Sequence, residues 1–167
     1  MFSQGFSQIV HLLGESERML TEAVAEKILK TYEEAWVEQD VNKILSIFHD
    51  DGTYHERVLK QPIRGSDGIA DYWRTKVVGE ESNIKFRLLN YYISGDTLIA
   101  EWEATFDNRK KNARIHMKEV AILEIEGHKI KSLREYWQSE INLLRPSLFL
   151  QWRKIFWKNR GNICPNQ

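Results

Sequence analysis

One cysteine, Cys164, is all the sequence holds, so no intrachain disulfide can form and no cysteine spacing suits a metal. That scarcity fits a reducing, cytoplasmic setting. No segment approaches the roughly 18 consecutive apolar residues of a membrane-spanning helix, so membrane insertion is not expected. No Lys or Arg precedes Arg18, a poor fit to a secretory leader. The 24 Lys and Arg are balanced by 24 Asp and Glu, and without the basic excess on which phosphate binding relies, a nucleic-acid partner is not expected. A Ser nucleophile elbow, a phosphate loop and a dinucleotide fingerprint are all missing: Gly65-Ser66-Asp67-Gly68 has neither the lysine nor the glycine spacing. His11, His49, His55, His116 and His128 form no metal-ligand spacing. No metal or cofactor is therefore expected.

What is present is ordinary for a globular chain, with 42% hydrophobic and 29% charged residues among 167. The charge is unevenly placed. Ile141 to Gln167 carries Lys and Arg but no Asp or Glu, leaving a mildly acidic body and a basic tail. No repeat or long linker divides the chain. The boundaries expected are a short arm or helix over residues 1–20, one domain over 21–140, and a basic helix and tail over 141–167.

From Thr21, a plausible N-cap, Val24, Ile28, Tyr32, Ala35 and Trp36 fall at helical spacing. Asp40 caps a second helix carrying Val41, Ile44, Leu45 and Phe48 on its buried side. The stretch Phe48–Glu56, FHDDGTYHE, reads as that helix ending in an Asp-Asp-Gly turn, with Gly52 free to take positive φ, and then a strand. Alternation along the strand puts Tyr54, Glu56 and Val58 on one face and Thr53, His55 and Arg57 on the other. A third helix is expected from Ser66 or Asp67 to Val78, closed by Gly79 in its favoured C-terminal role. Four strand-like runs follow: Ile84 to Ile93, Thr97 to Phe106, Arg114 to Ile125 and Lys129 to Gln138. Their short connections demand antiparallel neighbours. Helical spacing returns from Leu143 to Trp157. The expected architecture is α+β, with three N-terminal helices on one face of a curved, mostly antiparallel sheet, plus a C-terminal helix.

Several stretches carry a more specific likeness. They are Tyr32-Glu33-Glu34-Ala35-Trp36 followed by Asp40, then Ile47 to Thr53, then Arg64-Gly65 before the third helix, and finally Gly127-His128-Lys129-Ile130 leading to Arg134-Glu135-Tyr136-Trp137. This order resembles the NTF2-like superfamily, whose members include the SnoaL-like polyketide cyclases and the ketosteroid isomerases. The resemblance spans roughly Ala23 to Asn142 and implies a cone with an internal pocket. Against the ketosteroid isomerases, Tyr32 falls on the tyrosine that hydrogen-bonds the developing enolate, and Glu56 on the general base. The protonated acid that assists the tyrosine in those enzymes lines up at about Ala121, which can donate nothing.

Two further carboxylates enter the same frame. Glu119 is the only charge in the row Ile115, Met117, Ala121, Leu123. Glu135 alternates with Leu133 and Trp137, in positions that resemble pocket-lining ones. With Tyr32 and Glu56 they form either an acid/base cluster or, for Glu119, a pair with a buried Arg, Lys or His, and for Glu135 a surface charge if the register slips by one. Trp36, Trp73, Trp102, Trp137 and Met117 suit the wall of a cavity for a flat apolar ligand, or simple packing. The function implied is cofactor-independent proton transfer, as in an isomerase, cyclase or hydratase, on a small hydrophobic ligand, with Glu56, Tyr32 and Glu119 as catalytic candidates. The alternatives are a non-catalytic binding module and a dimeric interaction domain joined through the sheet face or the C-terminal helix.

Overall fold

The computed structural model describes residues 20–144. Apart from Leu20, the arm expected over residues 1–20 lies outside the described residues, as does all but the start of the helix expected from Leu143; residues 141–143, assigned to that basic segment, instead end the last strand of the sheet. Helix α1 spans Glu22–Glu38, begun by Thr21, whose hydroxyl accepts the Val24 amide at 3.3 Å. It buries Ala25, Ile28, Leu29, Tyr32, Ala35 and Trp36, the stripe that helical periodicity selects. Gln39 ends it in a left-handed conformation at φ 58°. Its side-chain Nε2 donates to the carbonyls of Val77 at 2.7 Å and Glu81 at 3.1 Å, tying the corner to the third helix and the sheet. Asp40 caps α2, Val41–Ile47, through the amides of Asn42 and Lys43.

Helix α3, Gly65–Tyr72, runs directly into a π-helical segment, Trp73–Val78. A wider turn displaces the carbonyl ladder, and the Thr75 hydroxyl takes up two of the carbonyls concerned, Asp71 at 2.8 Å and Tyr72 at 3.2 Å. Gly79 differs from expectation: it is right-handed, at φ −74°, because the helical path continues through it. The left-handed glycine is Gly65, at φ +69°, where the chain turns into α3.

Six strands form one sheet in the order β2-β1-β6-β5-β4-β3. They are β1 Phe48–His55, β2 Ile63–Arg64, β3 Glu81–Ser94, β4 Thr97–Asn108, β5 Ala113–Glu126 and β6 Lys129–Leu143. All neighbours are antiparallel except β1 and β6. Strand β6 runs past Gln138 to Leu143, because β5 offers it partners as far as Ala113. Phe48 opens β1 instead of closing α2. The Asp-Asp-Gly stretch does not reverse the chain; it is an irregularity within β1, where Phe48 pairs with Ile130 but Thr53 already pairs with Ser132. Gly52 is required for closeness, not for positive φ: a Cβ there would lie 2.9 Å from the His49 carbonyl and 3.2 Å from that of Ile130.

The inner face of the sheet follows strict alternation. On β4 it presents Leu98, Ala100, Trp102, Ala104 and Phe106, and on β5 Ala113, Ile115, Met117, Glu119, Ala121, Leu123 and Ile125, all buried. Helix α1 lies against this face, with the Tyr32 and Trp102 ring centroids 5.1 Å apart. Burying each such apolar side chain contributes about 1.5–3 kcal/mol, which fixes the strand faces against slippage. Among the described residues, no helix is long and apolar enough to cross a membrane.

Candidate functional site

Between α1, the α3–π helix and the inner face of the sheet lies a cavity of about 580 Å³, within the range of small-molecule sites. Its floor is built by three elements. Tyr32 reaches in from α1, Tyr54 from β1 and Glu135 from β6, and all three are buried. The Tyr32 hydroxyl donates to Glu135 Oε1 at 2.7 Å and the Tyr54 hydroxyl to the same oxygen at 2.9 Å, leaving Oε2 outside these two bonds. Tyr54 points inward because β1 alternates, and Glu135 because β6 pairs Ala121 directly opposite it. Glu135 thus sits on the neighbouring strand directly opposite Ala121.

Glu119 joins the floor from β5, opposite Trp137. It is 4% exposed, and its Oε1 has no hydrogen-bond partner. Its proton is held well above the ordinary carboxylate range, first by burial and then by the Glu135 carboxylate nearby. Trp102, its register partner on β4, lies close enough to oppose that rise, yet its indole nitrogen closes no hydrogen bond. Burial likewise lifts Glu135, opposed by the two tyrosine hydroxyls, so that it titrates at about 7. No cation of the described residues pairs with either acid, which answers the alternative of a buried Arg, Lys or His beside Glu119. The phenols themselves are held far above their usual range by burial and by Glu135. At neutral pH they are donors and not bases.

The other expected residues fall into place around this floor. Glu56 lies just past the end of β1, lines the cavity and is part-exposed at its mouth, where Arg57 Nε holds its Oε1 at 3.1 Å. It and Tyr32 share the cavity, but the Tyr32 proton is directed at Glu135, not at a ligand position beside Glu56. Trp36, Trp73, Met117 and Trp137 line the cavity. Trp102 does not: it is fully buried behind the wall, packed on Tyr32 and Phe86. Trp137 also closes the mouth, donating from its indole to the Glu56 carbonyl at 3.0 Å while Arg57 stacks over its ring.

Two groups of the site escaped sequence reasoning. Tyr54 was placed on the inner face by alternation, but nothing marked it as a partner of Glu135, eighty-one positions away. Glu81 opens β3 at the cavity wall and accepts the Trp36 indole proton at 2.8 Å; burial lifts it to about 7. The π segment that presents Trp73 and Lys76 to the cavity has no sequence signal beyond Thr75. Among the described residues, no group of three or more His, Cys, Asp or Glu is placed to hold a metal ion.

Comparison with known proteins adds a family and a set of folds. Residues 29–133 match the SnoaL-like domain. Among solved structures, the chain is similar to a protein with a ketosteroid isomerase-like fold from Catenulispora acidiphila, in complex with trimethylamine, at 21% identity and a TM-score of 0.58, covering 65% of this chain and 83% of that one. It is similar to an epoxide hydrolase from M. tuberculosis at 17% identity and a TM-score of 0.58, covering 70% and 84%. A third similarity is to the epoxide hydrolase/cyclase-like enzyme SalBIII, described in pyran ring formation in polyether salinomycin, at 20% identity and a TM-score of 0.61, covering 70% and 92%. No curated protein matches the sequence.

Proposed function

The chain belongs to the SnoaL-like domain family, and from that premise we propose that its cavity performs cofactor-independent proton transfer on a small hydrophobic ligand, with Glu119 as acid and Glu135 as base. One observation carries this reading. Two buried carboxyls with no cationic partner among the described residues sit on one cavity floor, and the one bonded by two phenols is pushed up to about 7. A base poised near the working pH and a neighbour that keeps its proton are the complementary halves of acid–base catalysis.

Epoxide opening, the chemistry named for two of the fold neighbours, is the concrete reaction we favour. The Glu135 carboxylate takes a proton from water, or from a hydroxyl of the ligand, as that oxygen bonds to a ring carbon. The carbon–oxygen bond of the ring breaks, and the leaving oxygen takes the proton of Glu119. Transfer of the new proton from Glu135 to Glu119 restores both groups. Tyr32 and Tyr54 position Glu135, and Glu56 with Arg57 belongs to the mouth. The outer sheet face, where Val120 and Tyr136 pair and are exposed, supports a second copy of the chain as a partner; size measurement of the full chain against Tyr136→Lys tests that.

The catalytic reading is tested with full-length protein and a panel of styrene, cyclohexene and hydroxyalkyl epoxides in ¹⁸O water. Glu135→Gln keeps both phenol bonds but not the base, and is expected to lower turnover by about 10²–10⁴-fold while the ligand is still retained. Unchanged turnover in that variant removes Glu135 from the mechanism.

A further inference from the structure

The mouth of the cavity has the opposite chemistry to its floor. Five cationic side chains from three separate elements line it: Arg57 and Lys60 after β1, Lys76 on the π segment, and Lys110 and Lys111 in the β4–β5 turn. The acids beside them are already paired, Glu56 with Arg57 at 3.1 Å, and Glu80 with Lys76 at 3.0 Å and Lys110 at 3.8 Å. Lys60 and Lys111 have no acidic partner among the described residues. In a chain whose net charge is zero, a local excess of cations around one concave apolar opening concentrates a positive potential there. Behind it come the rings of Trp36, Trp73 and Phe106 with Ile115 and Met117, and only then the acids of the floor.

We propose that the ligand is an amphipathic acid: a single anionic head group held at the mouth by Lys60 and Lys111, an apolar body against the rings, and an uncharged reactive end at Glu119 and Glu135. The order of charges sets the orientation. The acidic floor repels the head and the basic mouth retains it, so the molecule enters tail first and cannot reverse. A cation would be repelled at the entrance. At the mouth Glu56 is held by Arg57 and Glu80 by Lys76, and Glu81 on the wall accepts the Trp36 indole proton, so Lys60 and Lys111 meet the head group without an acid of their own. The proposal rests on the cavity being the ligand site of the reading above, but not on the floor acids turning the ligand over.

The test uses two fluorescent probes that differ in one sulfonate, 1-anilinonaphthalene-8-sulfonate and uncharged N-phenyl-1-naphthylamine, with full-length protein. The sulfonate is expected to bind at least about tenfold tighter in low salt, with the advantage fading at 0.5 M NaCl. Lys60→Gln and Lys111→Gln are each expected to weaken the sulfonate about fivefold and to leave the uncharged probe unchanged. Dodecanoate or dodecyl phosphate should displace the sulfonate where dodecanol does not, and the stronger of the two identifies the head as carboxylate or phosphate. Met117→Trp, or Ile115→Phe if the first fails to fold, fills the cavity and should abolish binding of both probes. Equal affinity for the two probes, displacement by dodecanol, equal loss of both probes in the lysine variants, or binding that survives a filled cavity overturns the proposal. Charge discrimination retained by a protein that turns over no epoxide sinks the catalytic reading alone; turnover without discrimination sinks this one alone.

Discussion

The two faces of β4, β5 and β6 treat the same side chain in opposite ways. On the outer face Glu103 is bonded by Arg87 and His116, Asp107 is ion-paired with Arg114, whose Nη2 donates to its Oδ2 at 3.3 Å, and Glu124 accepts from Arg134 at 2.9 Å. Hydrogen bonds from those partners hold Glu103 below the ordinary carboxylate range, and Asn83 with Arg114 does the same for Asp107. On the inner face Glu119 and Glu135 have no cation among the described residues, and burial drives both upward. A step of one residue along a strand therefore decides whether an acid is a surface ion or a proton store. The outer face has water and room for long cationic side chains to fold over the sheet. The inner face is covered by α1 and its rings, and the donors that reach Glu135 there are the neutral phenols of Tyr32 and Tyr54.

The contrast breaks most visibly at Glu135. Its folded-state value, about 7 against the usual 4.5, means that the folded protein holds a proton the unfolded chain has released. The stability it contributes is complete below about pH 4.5 and is lost as pH rises through 7. Urea unfolding of wild type and Glu135→Gln at pH 4 and pH 8 should give similar stabilities at the lower pH and a variant more stable by about 3 kcal/mol at the higher. A wild-type stability flat between those values would place an ionised carboxylate on the inner face at no cost, and the contrast would fail.

Glu119→Met keeps the bulk of the side chain and removes an orphaned acceptor, so a gain of about 1–3 kcal/mol is expected at pH 8 in the same measurement. A loss there would show a partner for Oε1. Tyr32→Phe takes one donor from Glu135 and is expected to cost about 1 kcal/mol; carboxyl carbon NMR should show Glu135 titrating higher than in wild type. The smallest change belongs to the outer face. Glu103→Gln should shift the thermal midpoint slightly at low salt and not at all in 1 M NaCl, because exposed pairs are screened.

Much of this frame was legible beforehand. Thr21 and Asp40 announced two helix starts through their capping side chains, the apolar stripe of α1 gave its buried face, and short turns gave the antiparallel order. Alternation alone placed Glu119 in an apolar row, and for Glu135 it was the resemblance of Leu133, Glu135 and Trp137 to pocket-lining positions that suggested the inner face, with a one-residue slip of register left open. Other features had no local signature. Gly52 reads as a turn glycine in sequence, whereas its role is to let the His49 carbonyl of its own stretch and the Ile130 carbonyl of β6 approach together. The continuation of α3 through a π segment, and so the right-handed Gly79, depends on which carbonyls the Thr75 hydroxyl captures. Trp102 and Trp73 are alike in sequence as large rings at inward positions, yet one lies behind the wall and one on it.

The sequence by itself determined the order of elements, the caps that begin the helices and the parity that turns particular acids and rings inward, because these depend on residues within a few positions of one another. Only the tertiary structure decided that Glu135 meets two phenols, that Glu119 meets no cation among the described residues, and that five basic side chains from three elements line one opening. Those outcomes depend on which surfaces close over one another and how much water they exclude, and a carboxyl's proton is governed by that enclosure rather than by its neighbours along the chain.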